Sequence, residues 1–408
     1  MTKTVDKRLK KKTIIIRIIL AFIFLAYTVF VVTINWTKTA SVSLNNLRHT
    51  TEPLIAYDMP APDVNLQTAK SLPPADNSGI RDLRFYNLSN IDLSSSYDEL
   101  MWAMFSNNTI WPNRLPDGYS PEQIMEFGKN PGLGLRELHA RGITGQGVGV
   151  AVIDFNLLPG HEQYAERLRV YELYRTVNKT AVMHSAVASI AAGKDTGVAP
   201  GANLYYIATM YGTYLPPFSL VNYNNVVMCI DRILEMNTHL PDSEKIRVIS
   251  ISRSFRESEL GGRALGEAVE RANESGVFVI TCSPAENFEF KLMGLGRNPT
   301  ADPDDISSYS ASILNSDMQI PHDALLVPID SRTTASYTGE SDYIFYRQGG
   351  LSWAAPWLAG IYALCVQVYP EITPALFIAL SFETGDAIQA GTIINPIRLI
   401  ERLEKGTF

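Results

Sequence analysis

The sequence predicts an α/β fold: a doubly wound, mostly parallel sheet with helices on both faces, preceded by one transmembrane helix. Three observations lead there. Largely apolar runs of four to six residues at Val148–Ile153, Leu204–Ala208, Val248–Ile251, Val277–Cys282 and Ala324–Ile329 have the continuous hydrophobicity of strands covered on both faces. Helical patterns at about 184–192, 218–237 and 262–275 lie between them, and strand–helix–strand alternation implies right-handed crossovers and a parallel sheet. Near the N-terminus, Ile18–Thr37 runs for 20 residues without a charge. As a helix rising about 1.5 Å per residue it spans roughly the 30 Å of a bilayer core.

The first element is a basic head. Residues 1–12 carry Lys3, Lys7, Arg8, Lys10, Lys11 and Lys12 against Asp6, a charge of +5, so the total of −7 leaves −12 for residues 13–408. Basic residues ahead of an apolar span, with Trp36 at its far end, orient the span with the N-terminus in the cytoplasm. Residues 13–37 are therefore read as the anchor of a single-pass cell-membrane protein with its body outside the cytoplasm. A cleaved signal peptide is the competing reading, but its apolar core is usually shorter, and TINWTKTASV at 33–42 offers a poor cleavage site near Ala40. The acidic remainder excludes a nucleic-acid partner, since no Lys/Arg cluster outside the head offsets phosphate charge.

Residues 38–80, rich in Ser, Thr, Asn, Pro and Asp, read as a stalk or linker. Residues 81–130 form a pre-domain or propeptide-like segment with an aromatic-rich stretch at Tyr97–Phe105 and a helix start at Ser120–Gln123, where Ser caps and Pro opens the first turn. The α/β body occupies 131–408. Residues 353–368 read as a buried helix, and Thr373 caps the next one, with Pro374 in its first turn. Cys229, Cys282 and Cys365 stand in apolar surroundings without C-x-x-C or metal spacing, as buried core residues do. No two of the six histidines stand at i, i+4, which excludes zinc chemistry of the H-E-x-x-H kind.

In a doubly wound sheet the active crevice lies beyond the carboxyl ends of the strands. Three residues qualify. Asp154 ends the first apolar run, His184 opens the small-residue helix H-S-A-V-A-S-I-A-A-G, and Ser352 sits after two glycines at the start of an apolar helix, in G-G-L-S-W-A-A-P-W-L-A-G. A helix start offers free backbone N–H groups, including that of the serine, to a developing oxyanion.

Asp, His and Ser in this chain order, 30 and 168 residues apart, follow the order of subtilisins rather than that of chymotrypsin or the α/β-hydrolases. The sequence resembles the subtilisin-like serine peptidases over about residues 131–405. The run at Ser352 resembles the family's G-T-S-M-A-A-P-x-x-A-G, matching at Gly350, Ser352, Ala354, Ala355, Pro356, Ala359 and Gly360; Gly142–Asp154 resembles the strand before the catalytic aspartate, and Gly197–Ala202 the segment after the histidine helix. Val248–Ser252 is similar to the strand that pairs with extended substrate, which implies a substrate-binding role for Ser252. The resemblance implies hydrolysis of peptide bonds by a triad of Asp154, His184 and Ser352, a peptide or protein substrate, and no metal or organic cofactor.

The match departs from the family at three places. Phe155 and Asn156 follow Asp154 where Ser or Thr and then Gly are usual. Aligning Val187–Ala188–Ser189 with the family's V-A-G puts Met183, not His184, at the histidine position, so His184 serves only if the preceding turn is one residue shorter. The side-chain oxyanion donor, an asparagine in the family, falls near Ala285, leaving Asn287 as the candidate two residues on. The alternative function is therefore a pseudoprotease that binds a peptide or partner protein without cutting it.

Overall fold

Six parallel strands form the central sheet of the computed structural model, in the order Leu54–Ile55, Leu168–Tyr174, Asn203–Thr209, Gly149–Asp154, Ile246–Ile251 and Phe278–Thr281. The structure describes residues 54–55, 61, 64–174, 184–215, 218–312, 323–388 and 391–406. The basic head, the membrane span and Met183 lie outside them. The chain divides into two units, Met1–Asn46 and Leu47–Phe408, and every described residue belongs to the second.

Continuous hydrophobicity works here by splitting each strand between two cores. Along Gly149–Asp154, Val150 and Val152 face one layer while Ala151 and Ile153 face the other, as the two-residue period requires. The first layer holds helices Ser185–Ala192 and Ala354–Val368, and the second holds Asn224–His239 and Gly262–Glu274. Among the described residues one helical stretch, Leu351–Val368, is long and apolar enough to cross a membrane, and it is the central helix of the core, with 78% of its residues buried. The three cysteines are free and buried. Connections from Gly149–Asp154 lead to strands on one side of it, and those from Ile246–Ile251 lead to the other. The switch point therefore falls between these two neighbours, whose carboxyl ends carry Asp154 and Ser252.

Several expectations need correction. Ala324–Pro328 belongs to a second, five-stranded sheet with Lys291–Arg297, Gly391–Ile393 and two antiparallel edge strands. After Phe278–Thr281 the chain reaches Lys291 through a single 3₁₀ turn, Pro284–Glu286, too short for a crossover back into the first sheet. The helix expected from 218 begins at Asn224, because Phe218–Val221 pairs antiparallel with Gly212–Leu215.

The stalk reading of 38–80 fails over its described part: Gln67–Thr68 pairs with Tyr86–Asn87, and Ala69 and Ile80 are buried. Residues 81–130 pack on the body. Strand Ala103–Ser106 extends the hairpin of Arg332–Ala335 and Tyr343–Tyr346, and Leu83, Leu100, Phe105 and Ile124 share a core with Phe345. The helix signals were sound: Ser120 Oγ accepts the Gln123 N–H at 3.1 Å ahead of helix Pro121–Lys129, and Thr373 Oγ1 accepts the Leu376 N–H at 3.2 Å ahead of Pro374–Thr384.

The fully buried His161 gives the fold an acid sensitivity. Its Nε2 donates to the Asp342 carbonyl oxygen at 2.8 Å while Nδ1 accepts the Gln163 N–H at 3.2 Å. That pair of contacts requires a neutral ring, because a proton on Nδ1 would face another donor. Burial holds the His161 pKa below its usual value, as it does for His139. The unfolded chain, at about 6.5, therefore takes up the proton first, and stability is lost as pH falls below that value through the lowered folded pKa. The Tm is expected to fall between about pH 7 and pH 5, less steeply in His161→Gln. Parallel Tm–pH curves for the two proteins would remove His161 as a cause.

Candidate active site

Asp154 ends the central strand and is buried. Its Oδ1 accepts two donors, the Phe155 N–H at 2.8 Å and His184 Nδ1 at 2.9 Å, while its buried Oδ2 makes no hydrogen bond. With the Nδ1 proton held by the carboxylate, Nε2 of the neutral ring keeps its lone pair.

His184 stands at the N-cap of helix Ser185–Ala192, and its side chain is 25% exposed. All eight residues of that helix are buried, a placement its alanines and serines permit. Ser185 Oγ accepts the Leu158 N–H at 3.1 Å and Ser189 Oγ accepts the Ala335 N–H at 3.0 Å, tying the helix to the loop after Asp154 and to the hairpin. His184, not the position assigned to Met183 by alignment, supplies the imidazole that meets Asp154.

Phe155, the first departure from the family pattern, packs its ring edge-on against this imidazole, with centroids 4.5 Å apart at 82°. Tyr211 lies against Phe155 at 5.3 Å and donates to the Ile153 carbonyl oxygen at 3.1 Å. Burial first, and then the charge of Asp154, push the Tyr211 phenol far up, so it remains a neutral donor.

Ser352 is exposed in the 3₁₀ turn Leu351–Trp353 that opens into helix Ala354–Val368. Gly350 before it takes φ +81°, a conformation open to glycine. At Gly349 an added Cβ would lie 2.1 Å from the Ile329 carbonyl oxygen and 2.3 Å from the Trp353 ring. Gly349→Ala is therefore expected to cost about 1–3 kcal/mol and to slow covalent labelling of Ser352. Unchanged melting and labelling would show that the turn yields freely.

Ser352 Oγ donates to the Ser252 carbonyl oxygen at 3.2 Å and makes no hydrogen bond to His184. Two cavities meet at this hydroxyl. One, of about 350 Å³, includes His184, Val187 and Trp353; the other, of about 570 Å³, includes Ser252, Cys282 and Ser283. Burial, with Asp154's charge next, pushes the Cys282 thiol up to about 12, which leaves it protonated and a poor nucleophile. Asn287 is not brought to the crevice. It lines neither cavity, and its Nδ2 faces helix Gly262–Glu274 beside Gly266. Arg332 is buried and donates to the Thr196 carbonyl oxygen at 3.0 Å.

Sequence reasoning missed Phe155 as a partner of the imidazole, and it missed Ile80 and Met104, which line the cavity on the His184 side. Only the aromatic-rich stretch from Tyr97 to Phe105 hinted that the N-terminal region packs on the body.

Fold and site together define an α/β protein in which an Asp–His pair and a serine converge at the carboxyl edge of a parallel sheet. No protein-family model matches the chain. Among solved structures it is similar to the prenylagaramide maturation protease PagA, with 16% identity and a TM-score of 0.47, over 66% of this chain and 98% of that one. The likeness is too slight to carry an argument about activity.

Proposed function

We propose that this chain is a subtilisin-like serine endopeptidase, held to the cell membrane by residues 13–37 with its body outside the cytoplasm. The observation that carries the reading is the 2.9 Å contact between His184 Nδ1 and Asp154 Oδ1, with His184 and Ser352 lining one crevice. Rotation of the Ser352 side chain from the Ser252 carbonyl to His184 Nε2 on substrate binding completes the set; catalytic hydrogen bonds often tighten only in the complex.

Ser352 Oγ then attacks the scissile carbonyl as His184 Nε2 takes its proton. The tetrahedral intermediate collapses to an acyl-enzyme when His184 passes that proton to the leaving amine. Water, deprotonated by the same nitrogen, attacks the ester and releases the acid. Asp154 keeps the imidazole in the required tautomer and stabilises the imidazolium. Ser252 would lie along the extended substrate, and the backbone N–H of Ser352 would serve the oxyanion. Asn287 faces away, and loss of one oxyanion donor costs about 10²–10³ in kcat, a magnitude known from a subtilisin. The proposed enzyme is accordingly slow.

The bond from Ser352 Oγ to the Ser252 carbonyl favours a second reading, a pseudoprotease that binds peptide without cutting it. A fluorophosphonate probe separates the two. The full-length protein in detergent is expected to be labelled, and Ser352→Ala is expected to abolish the label without altering the melting curve. A folded parent that resists labelling would leave the pseudoprotease reading.

A further inference from the structure

The cavity on the imidazole side of Ser352 is built in part by residues outside the α/β body. Strand Arg81–Asp82 pairs parallel with Ala103–Ser106, bringing Asp82 opposite Met104, and the second of these strands joins the Tyr343–Tyr346 strand just before the serine turn. The arrangement sets Ile80 and Met104 in the wall of the cavity, facing a space they share with Val187 and Trp353. The guanidinium of Arg84 in the same wall is held by both carboxylate oxygens of Asp82, at 2.9 and 2.6 Å, so its charge is matched. At about 350 Å³ the space is at the lower end of small-ligand sites, roughly 300–1,000 Å³.

Which part of a substrate enters this space follows from proton transfer. In the proposed reaction the imidazole delivers its proton to the leaving amine, so the amine product lies on the His184 side. The acyl part then lies toward Ser252 and Cys282, which line the other cavity and not this one. Resting on the peptidase reading, we propose that Ile80 and Met104 form with Val187 and Trp353 a subsite that selects a large apolar side chain on the residue immediately following the scissile bond. An apolar side chain there loses water against Ile80, Met104, Val187 and Trp353, whereas an acidic one would meet the Asp76 carboxylate in the same wall, with Arg84 already matched by Asp82.

The test uses the full-length protein in detergent, a randomised octapeptide library, and sequencing of the amine-side products. The first residue of those products is expected to be Leu, Met or Phe at least about 10-fold more often than Asp or Glu, the scale at which a hydrophobic pocket discriminates. Met104→Lys is expected to erase that preference and raise the share of Asp and Glu, and fluorophosphonate labelling of Ser352 in the variant checks that the serine turn is intact. Cleavage with no preference at that position, or a preference that Met104→Lys leaves intact, overturns the subsite and leaves the peptidase standing. Absence of Ser352 labelling in the parent overturns both.

Discussion

Asp154→Asn is expected to lower peptide turnover by about 10⁴-fold, the loss seen for the same change in a serine protease of unrelated fold, with KM changed far less. The carboxylate is buried and its Oδ1 takes both the Phe155 N–H and His184 Nδ1. An amide of the same shape keeps one acceptor oxygen. With its oxygen at the Oδ1 position it still accepts both N–H groups but has no charge to stabilise the imidazolium; turned the other way, its NH₂ group meets the imidazole and forces the proton to Nε2, the nitrogen that must accept from Ser352. The fold has little to lose, since the substitution alters a buried carboxylate whose second oxygen already has no partner. Steady-state kinetics on a peptide cleaved by the parent, with melting curves for both proteins, decides the matter. A turnover within about 10-fold of the parent would mean that Asp154 does not set the tautomer, and the proposed mechanism would fail.

Trp357→Ala is expected to produce the largest loss of stability, about 3–5 kcal/mol. Trp357 is fully buried near the start of the central helix, and its Nε1 donates to the Pro131 carbonyl oxygen at 3.0 Å. Truncation opens a cavity between the helix and the start of the body and leaves that carbonyl unpaired, itself worth about 1–3 kcal/mol. Trp357→Phe retains most of the volume and isolates the hydrogen bond. Denaturant midpoints at constant m-value read both effects. A Trp357→Ala loss under about 1 kcal/mol would show that the helix repacks around the gap.

The two substitutions probe parts of the molecule that were unequally legible in the sequence. The core helix was plain, because thirteen of the fifteen residues in Ala354–Val368 are buried and so the stretch is apolar around its whole circumference. Asp154 and Ser352 were legible for a similar reason. A carboxylate ending an apolar strand, and a serine after two glycines at a helix start, are punctuation marks of the crevice edge. His184 was less so, since a one-residue shift along a helix turns a side chain by about 100°. Only placement at the N-cap, ahead of the first helical turn, lets the imidazole reach Asp154.

The stalk reading missed the packing of residues 64–80. Residues 64–80 are polar and proline-containing like a linker, yet two of their apolar members, Ala69 and Ile80, are buried, while Leu66 stays exposed. Two-residue strands such as Gln67–Thr68 and Arg81–Asp82 have no periodicity to detect, and their partners were not visible beforehand. The second sheet escaped for the same reason, its edges being strands of three residues.

The sequence by itself determined the doubly wound class of the body and which aspartate, histidine and serine stand at its crevice, because continuous apolar runs, small-residue helices and glycine turns are local consequences of residue type. Tertiary structure alone decided that His184 meets Asp154 across Phe155, that Asn287 turns away, and that Ile80 and Met104 wall the cavity beside the serine. Those outcomes depend on close approach between residues tens to hundreds of positions apart, and such contacts follow from packing of the whole core rather than from any local pattern.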